Sequence, residues 1–200
     1  VEHSEPGGST MSEQGPKWHL ETTLVHGAGG AGRRGATLPP ITLSTSFDHA
    51  SAEEMAAAFG GQSDAPLYSR VQNPTGEALE ERIAQACGAP GAVALASGMT
   101  AISLGLLSLL RAGDELLASP YLFGGTYTLF TRTLAELGIR THFVNPRDPA
   151  TAEALIGPKT RVVFLEAIAN PAMVVPSFAA WRALCDRHGL VLAVDATLLT

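Results

Sequence analysis

Short, unbroken apolar runs alternate with helix-length segments along the second half of this chain. Val162-Val163-Phe164-Leu165 is the clearest, with no polar position among four bulky residues. A strand with one face in water alternates apolar and polar residues, so a strand apolar throughout must be covered on both faces. Strands are expected at 92–96, 116–119, 140–144, 161–166 and 190–194, with helices at 99–110, 125–137, 149–156 and 176–188 between and around them. Two earlier helices are expected. One spans 51–59, where Ser51 can cap and Glu54 completes a capping box. The other spans 76–87, with Leu79, Ile83 and Cys87 on one face and Gly88 as its stop. Five strand–helix alternations predict an α/β fold, a mainly parallel sheet with helices on both faces.

The front of the chain reads differently. Residues 1–16 are rich in Gly, Ser, Pro and Glu without periodicity, as in a mobile tail. The chain opens on Val1 and its first methionine is Met11, which raises the question of whether residues 1–10 are native. Residues 17–66 read as an irregular arm, broken by glycines and the Pro39-Pro40 pair, and 67–200 as the front of a larger domain. Thr200 follows closely on a strand ending Ala193-Val194-Asp195, so the sheet is expected to continue in a longer protein.

Composition removes several function classes. Apolar residues make up 46% and charged residues 16%, enough for a core and unlike a disordered chain. The net charge is -6 and the lysines are only Lys17 and Lys159, so no nucleic-acid partner is expected. Cys87 and Cys185 stand far apart in no paired spacing, which argues against a disulfide framework or a zinc site. No metal is expected, and the default compartment is reducing, hence cytoplasmic. No secretory signal is visible. Asn73, Asn145 and Asn170 each precede proline, which removes every glycosylation acceptor. Val93 to Leu110 carries no charge over a length near that of a membrane span. Ser97-Gly98 breaks it early, and a buried strand followed by a buried helix is expected instead, with no membrane partner.

Two glycine sites invite a phosphate. Gly27 to Gly32 matches G-x-G-x-x-G, but Arg33-Arg34-Gly35 and Pro39-Pro40 follow where the motif needs a helix, so it reads as coincidence. Ser97-Gly98 is better placed, between an apolar run and a helix opening at Met99-Thr100-Ala101, where free N–H groups and the helix dipole favour an anion. No Gly-Lys-Ser/Thr follows, which excludes a nucleoside-triphosphate loop, and many such turns bind nothing. Asp195 ends an apolar strand at the carboxyl edge, where parallel sheets keep their ligands. It could instead cap the next turn. Glu166 and Asn170 follow the neighbouring strand in the same way, so the polar groups converge.

These residues carry a resemblance. Tyr68-Ser69-Arg70 with Asn73-Pro74-Thr75, then Ala96-Ser97-Gly98-Met99-Thr100-Ala101, Phe123-Gly124-Gly125-Thr126-Tyr127, Glu166 through Asn170-Pro171, and Asp195-Ala196-Thr197 occur in order. In order and approximate spacing they resemble the Cys/Met-metabolism family, the pyridoxal-phosphate enzymes of transsulfuration, over roughly residues 20–200. The resemblance implies the aspartate-aminotransferase-like architecture (fold type I), here truncated and preceded by an N-terminal arm for subunit contacts. It implies pyridoxal 5'-phosphate as cofactor, a small amino-acid substrate, and self-association as dimer or tetramer. Gly98 and Met99 would offer N–H groups to the phosphate. Tyr68 and Arg70 would reach the phosphate of a neighbouring subunit. Asp195 would pair with the pyridine nitrogen, keeping the ring an electron sink, and Asn170 would bond the 3-hydroxyl side.

The departures are as informative. Phe123 stands where most members stack a tyrosine, so the stack survives without a phenol to move a proton. Asp195-Ala196-Thr197 replaces the usual Asp-Asn-Thr. The family's Schiff-base lysine is expected some two dozen residues beyond Asp195, so no catalytic residue is assigned within this chain. The implied activity is gamma-replacement on an activated homoserine, as in O-acetylhomoserine sulfhydrylase, because 123–127 looks most like that branch. The alternatives are a methionine or cystathionine gamma-lyase and, from a different class, a non-catalytic binding or scaffolding module.

Overall fold

The computed structural model describes residues 18–26 and 38–199. The chain divides into two units, Val1–Ala94 and Leu95–Thr200. The tail at 1–16 and the Gly27 to Gly32 motif lie outside the described residues.

The second unit is built on four parallel strands, β1 (Glu115–Ala118), β2 (Arg140–Phe143), β3 (Thr160–Glu166) and β4 (Val191–Asp195), in the order β2-β1-β3-β4. The period of two along each strand separates two cores. Leu116, Ala118, Val162 and Phe164 face one side and pack with Leu106, Phe130 and Leu134. Leu117, Val163 and Leu165 face the other and pack with Trp181, Leu184 and Cys185. Each fully buried Leu, Val or Phe contributes roughly 1.5–3 kcal/mol, so two dry faces hold these short strands where pairing alone would not.

Helices cover both faces, as the apolar runs require. Taking the first unit's helices as α1–α3 (below), α4 (Gly98–Leu109) begins with Ser97 as its cap, the Ser97 hydroxyl accepting from the Thr100 N–H at 3.1 Å. Then α5 (Gly124–Thr128) runs through a π turn at Leu129–Thr133 into α6 (Leu134–Glu136). A regular helix was expected at 125–137. The widened turn lets Leu129, Phe130 and Leu134 all be buried. A 3-10 helix spans Pro149–Leu155, and α7 (Phe178–His188) closes on Gly189 in the left-handed conformation. The Trp181 indole N–H donates to the Pro146 carbonyl at 2.7 Å, satisfying the one polar atom of a fully buried ring.

One expected strand is absent. Residues 92–96 pair with no strand among the described residues, and Val93 is 77% exposed. The run is apolar enough for a strand, but a strand exists only where a neighbour takes its N–H and C=O groups. The Ala94 N–H instead donates to the Glu80 carboxylate at 2.7 Å. No described helix is long and apolar enough to cross a membrane, and Val93 to Leu110 resolves into this unpaired stretch and α4.

The first unit contains α1 (Leu20–His26), α2 (Ala52–Phe59) and α3 (Pro74–Cys87). Helix α1 interrupts a segment expected to be irregular. In α2 the Ser51 hydroxyl accepts from the Glu54 N–H, while the Glu54 carboxylate accepts from the Ala50 N–H rather than that of Ser51. The cap of α3 is Asn73, with Pro74 in its first turn, and Gly88 stops it in the left-handed conformation. Leu79 and Ile83, expected to share one face of this helix, are 54% and 42% exposed.

Candidate active site

The carboxyl edge of the sheet is organised by the last residues of two neighbouring strands. β3 and β4 run in register from Val162 opposite Val191 to Glu166 opposite Asp195, which sets two carboxyl side chains side by side. Both line a cavity of about 260 Å³ together with Gly98, Met99, Phe123 and Asn170. Of the seven residues singled out in the sequence, five therefore share one cavity. Tyr68 and Arg70 belong to the first unit.

Each wall follows from local sequence. The Ser97 cap takes the Thr100 N–H, and the Ser97 carbonyl accepts from Ala101 at 3.0 Å. That leaves the N–H groups of Gly98 and Met99 without an acceptor in the helix, as at any first turn. A Cβ on Gly98 would meet nothing within 4 Å, so the space over this turn is open. Phe123 precedes α5 and is 51% exposed, its ring bordering the cavity. Gly125 lets it sit there. A Cβ on Gly125 would lie 3.0 Å from the Phe123 ring and 3.1 Å from the Met99 sulfur.

The carboxyl side chains are used unequally. Glu166, 5% exposed, accepts the Phe123 N–H on Oε1 at 2.6 Å and the Asn170 N–H on Oε2 at 3.1 Å. Asp195 accepts both the N–H and the hydroxyl of Thr197 on Oδ1, at 2.9 and 2.5 Å. The turn-capping role weighed for Asp195 is therefore real, but it occupies one oxygen only. Among the described residues, Oδ2 has no partner. The loop after β3 closes on itself, Ala169 donating to Val174 at 3.0 Å and Met173 to Ala169 at 2.7 Å, which holds Asn170 at the rim.

The lining contains two acids and no basic side chain. Its donor set suits one kind of guest: an anion at the N-terminus of α4, a flat ring against Phe123, a hydroxyl near the Asn170 amide, and a cationic nitrogen for the free oxygen of Asp195. That is the functional-group set of pyridoxal phosphate, so the residues present fit it. Among the described residues no cluster of side chains is suited to a metal.

Tyr68 and Arg70 are held by the first unit's own backbone. Tyr68 bridges antiparallel to Ser46, with Phe47 donating to Leu67 at 3.2 Å and Ser69 to Thr45 at 2.9 Å. The Arg70 guanidinium lies 5.3 Å from the centre of the Tyr68 ring, a cation–π distance, and both line a cavity of about 880 Å³ with His49 and Met55. Sequence reasoning noted Glu166 as a strand-end group without a role. Its signal was positional, since it closes its strand as Asp195 closes the next one.

The chain matches the model of the Cys/Met metabolism PLP-dependent enzymes over residues 21–200. It is 41% identical over 186 residues to the O-acetyl-L-homoserine sulfhydrylase of Corynebacterium glutamicum, covering 92% of this chain and 43% of that protein. It is 37% identical over 177 residues to the L-methionine gamma-lyase of Pseudomonas putida, covering 88% and 44%. A crystal structure described as an O-acetylhomoserine (thiol)-lyase from Campylobacter jejuni, carrying N'-pyridoxyl-lysine-5'-monophosphate, superposes with a TM-score of 0.86 at 29% identity, over 90% of this chain and 44% of that one. This chain thus spans less than half the length of the relatives it matches. A match that runs unbroken from the arm to the Asp195 turn, on a sheet of the same architecture, places the chain in the Cys/Met metabolism family of pyridoxal-phosphate-dependent enzymes.

Proposed function

We propose that this chain supplies the cofactor cradle of an enzyme that replaces the gamma-substituent of an activated homoserine, with O-acetylhomoserine as substrate and a sulfur nucleophile as acceptor. One observation carries this: Gly98, Met99, Phe123, Asn170 and Asp195 border a single cavity whose groups suit pyridoxal phosphate. The 41% identity to a sulfhydrylase supports the reaction type.

Pyridoxal phosphate, when bound, would supply an electron sink for carbanion chemistry at the alpha carbon of the amino-acid substrate. The chain's residues do the rest. Gly98 and Met99 donate backbone N–H groups to the phosphate, aided by the dipole of α4. Phe123 would stack on the ring, without a hydroxyl to move a proton. Asn170 donates from its amide to the 3-hydroxyl side. Asp195 would accept a hydrogen bond from the protonated ring nitrogen on Oδ2, so keeping that proton on the ring, while Oδ1 stays with Thr197. Tyr68 and Arg70 serve the phosphate of a partner subunit, which requires a dimer or tetramer.

The lysine that carries the cofactor is assigned to sequence beyond Thr200. Lys159 immediately precedes β3, at the amino end of a seven-residue strand whose carboxyl end borders the cavity. At about 3.3 Å per residue the two ends lie roughly 20 Å apart. An elimination activity is the second candidate, supported by the 37% identity to a methionine gamma-lyase.

The test uses the full-length protein. We expect a visible absorption band from bound cofactor and formation of homocysteine from O-acetylhomoserine and sulfide. Release of ammonia from methionine, without replacement, would favour the lyase. A colourless protein that takes up no pyridoxal phosphate would leave only a binding or scaffolding role.

A further inference from the structure

Two loops wall the cavity, and they belong to different parts of the unit. Phe123 stands just before α5, and Asn170 lies in the loop after β3. Both backbones hang from one side chain. Glu166 accepts the Phe123 N–H on Oε1 and the Asn170 N–H on Oε2. It is 5% exposed, and no Lys, Arg or His pairs with it among the described residues. A carboxyl group buried after the apolar run Val162–Leu165 is costly to desolvate, and an apolar side chain would fill the position without that cost. What an apolar residue could not do is hold two loops at once.

The register adds the third wall. Glu166 is paired with Asp195, and the Ala167 N–H donates to the Asp195 carbonyl at 2.8 Å. Phe123, Asn170 and Asp195 are thus all referred to one point at the end of β3. Each Glu166 oxygen is already engaged by a backbone N–H, so the carboxylate is committed to the two loops.

We propose that Glu166 is a positioning residue, which fixes the spacing between the Phe123 loop and the Asn170 loop and so the width of the slot between ring and rim. This rests on the cavity being the pyridoxal-phosphate site proposed above.

The test compares full-length wild type with E166Q and E166D, by hydrogen exchange of the cofactor-free protein and by titration with pyridoxal phosphate. Gln keeps the length, but its amide NH2 must face one of the two N–H donors. Asp keeps the charge, but its shorter side chain reaches one loop at most. An unmade hydrogen bond of this kind should speed exchange of the amides at 123 and 170 by about 10- to 100-fold. Peptides from the body of β3 and from α7 should exchange as in wild type. Cofactor affinity should fall by about tenfold, with a changed circular dichroism of the bound chromophore. Unchanged exchange in both loops would overturn the proposal, and so would acceleration spread evenly over β3 and α7, which marks a general stability role. If E166Q fails to fold, E166D decides by the same criteria. Wild-type protein that takes up no cofactor would overturn the site assignment and the slot-setting role with it, while the exchange data still report whether the two loops are clamped.

Discussion

Glu166 and Asp195 face each other across β3 and β4 as the last residues of their strands, and only Asp195 keeps an oxygen without a partner among the described residues. Two neighbouring acids would be interchangeable acceptors for a cationic ring nitrogen if position alone decided. Hydrogen bonding separates them. Each Glu166 oxygen already accepts a backbone N–H, whereas Oδ2 of Asp195 accepts none among the described residues, so Oδ2 is the freer acceptor in this cavity.

Gly125 controls the Phe123 ring. Alanine there would put a Cβ 3.0 Å from the ring edge and 3.1 Å from the Met99 sulfur, both side-chain atoms that can move. Because Phe123 is half exposed, the ring swings outward instead of straining the fold. The helix itself gains roughly 0.5–1 kcal/mol from Gly→Ala, which offsets much of the crowding. G125A should therefore leave thermal stability within about 1 kcal/mol of wild type. Its cofactor dissociation constant should rise several-fold. Wild-type affinity in G125A would show that the ring is not held by this contact.

Trp181 tests the opposite face of the sheet. Its ring is fully buried and its indole N–H satisfies the Pro146 carbonyl at 2.7 Å. W181F removes that donor and leaves a void where the larger ring was. The unpaired carbonyl and the cavity together should cost about 2–4 kcal/mol. A denaturant midpoint lowered at unchanged slope is the expected result. A cost under about 0.5 kcal/mol would mean that the core collapses around the smaller ring.

The sheet was legible from the unbroken apolar runs of its strands β3 and β4, since only two covered faces explain Val162-Val163-Phe164-Leu165. The stretch at 92–96 carries the same local signal and is unpaired, since pairing depends on a neighbouring strand that local sequence does not contain. Helix α1 was missed because it is one short stretch of seven residues in which only Leu20 and Leu24 share a helical spacing, and it buries no side chain. At the site, Gly98, Asp195 and Asn170 could be placed from strand and helix ends alone. The role of Glu166 could not, because its two partners are backbone groups 43 and 4 residues away, and backbone donors leave no trace in residue identity.

Glu153 sets an acid-sensitive contact between the 3-10 helix and the end of α7. Hydrogen bonds from His188 at 3.1 Å and Arg187 at 3.2 Å hold its carboxyl below the ordinary value of 4.5. A lowered carboxyl pKa contributes stability that is present above the unfolded value and lost as pH falls through the folded one. The group lies on the exposed surface, so the contribution is small and screened by salt. E153Q should melt slightly below wild type at neutral pH, and the gap should close as pH drops below 4.5. A gap that widens in acid would contradict the pairing.

Asp195 gives the sharpest test, because its two oxygens have separable jobs. Asn at this position keeps Oδ1, which can still accept the Thr197 N–H and hydroxyl seen at 2.9 and 2.5 Å. The turn after β4 should therefore survive, and the cofactor-free protein should melt as wild type does. What changes is the other atom: an NH2 donor replaces the free oxygen, and the negative charge is gone. A ring nitrogen carrying a proton would then meet a donor where it needs an acceptor. Loss of such a preorganised electrostatic group should lower turnover by on the order of a hundredfold or more. The measurement is D195N in the full-length protein, with melting temperature, cofactor occupancy and turnover recorded together. An unchanged melting temperature with collapsed turnover supports the pairing with the ring. Near-normal turnover with bound cofactor would reduce Asp195 to the cap of its own turn.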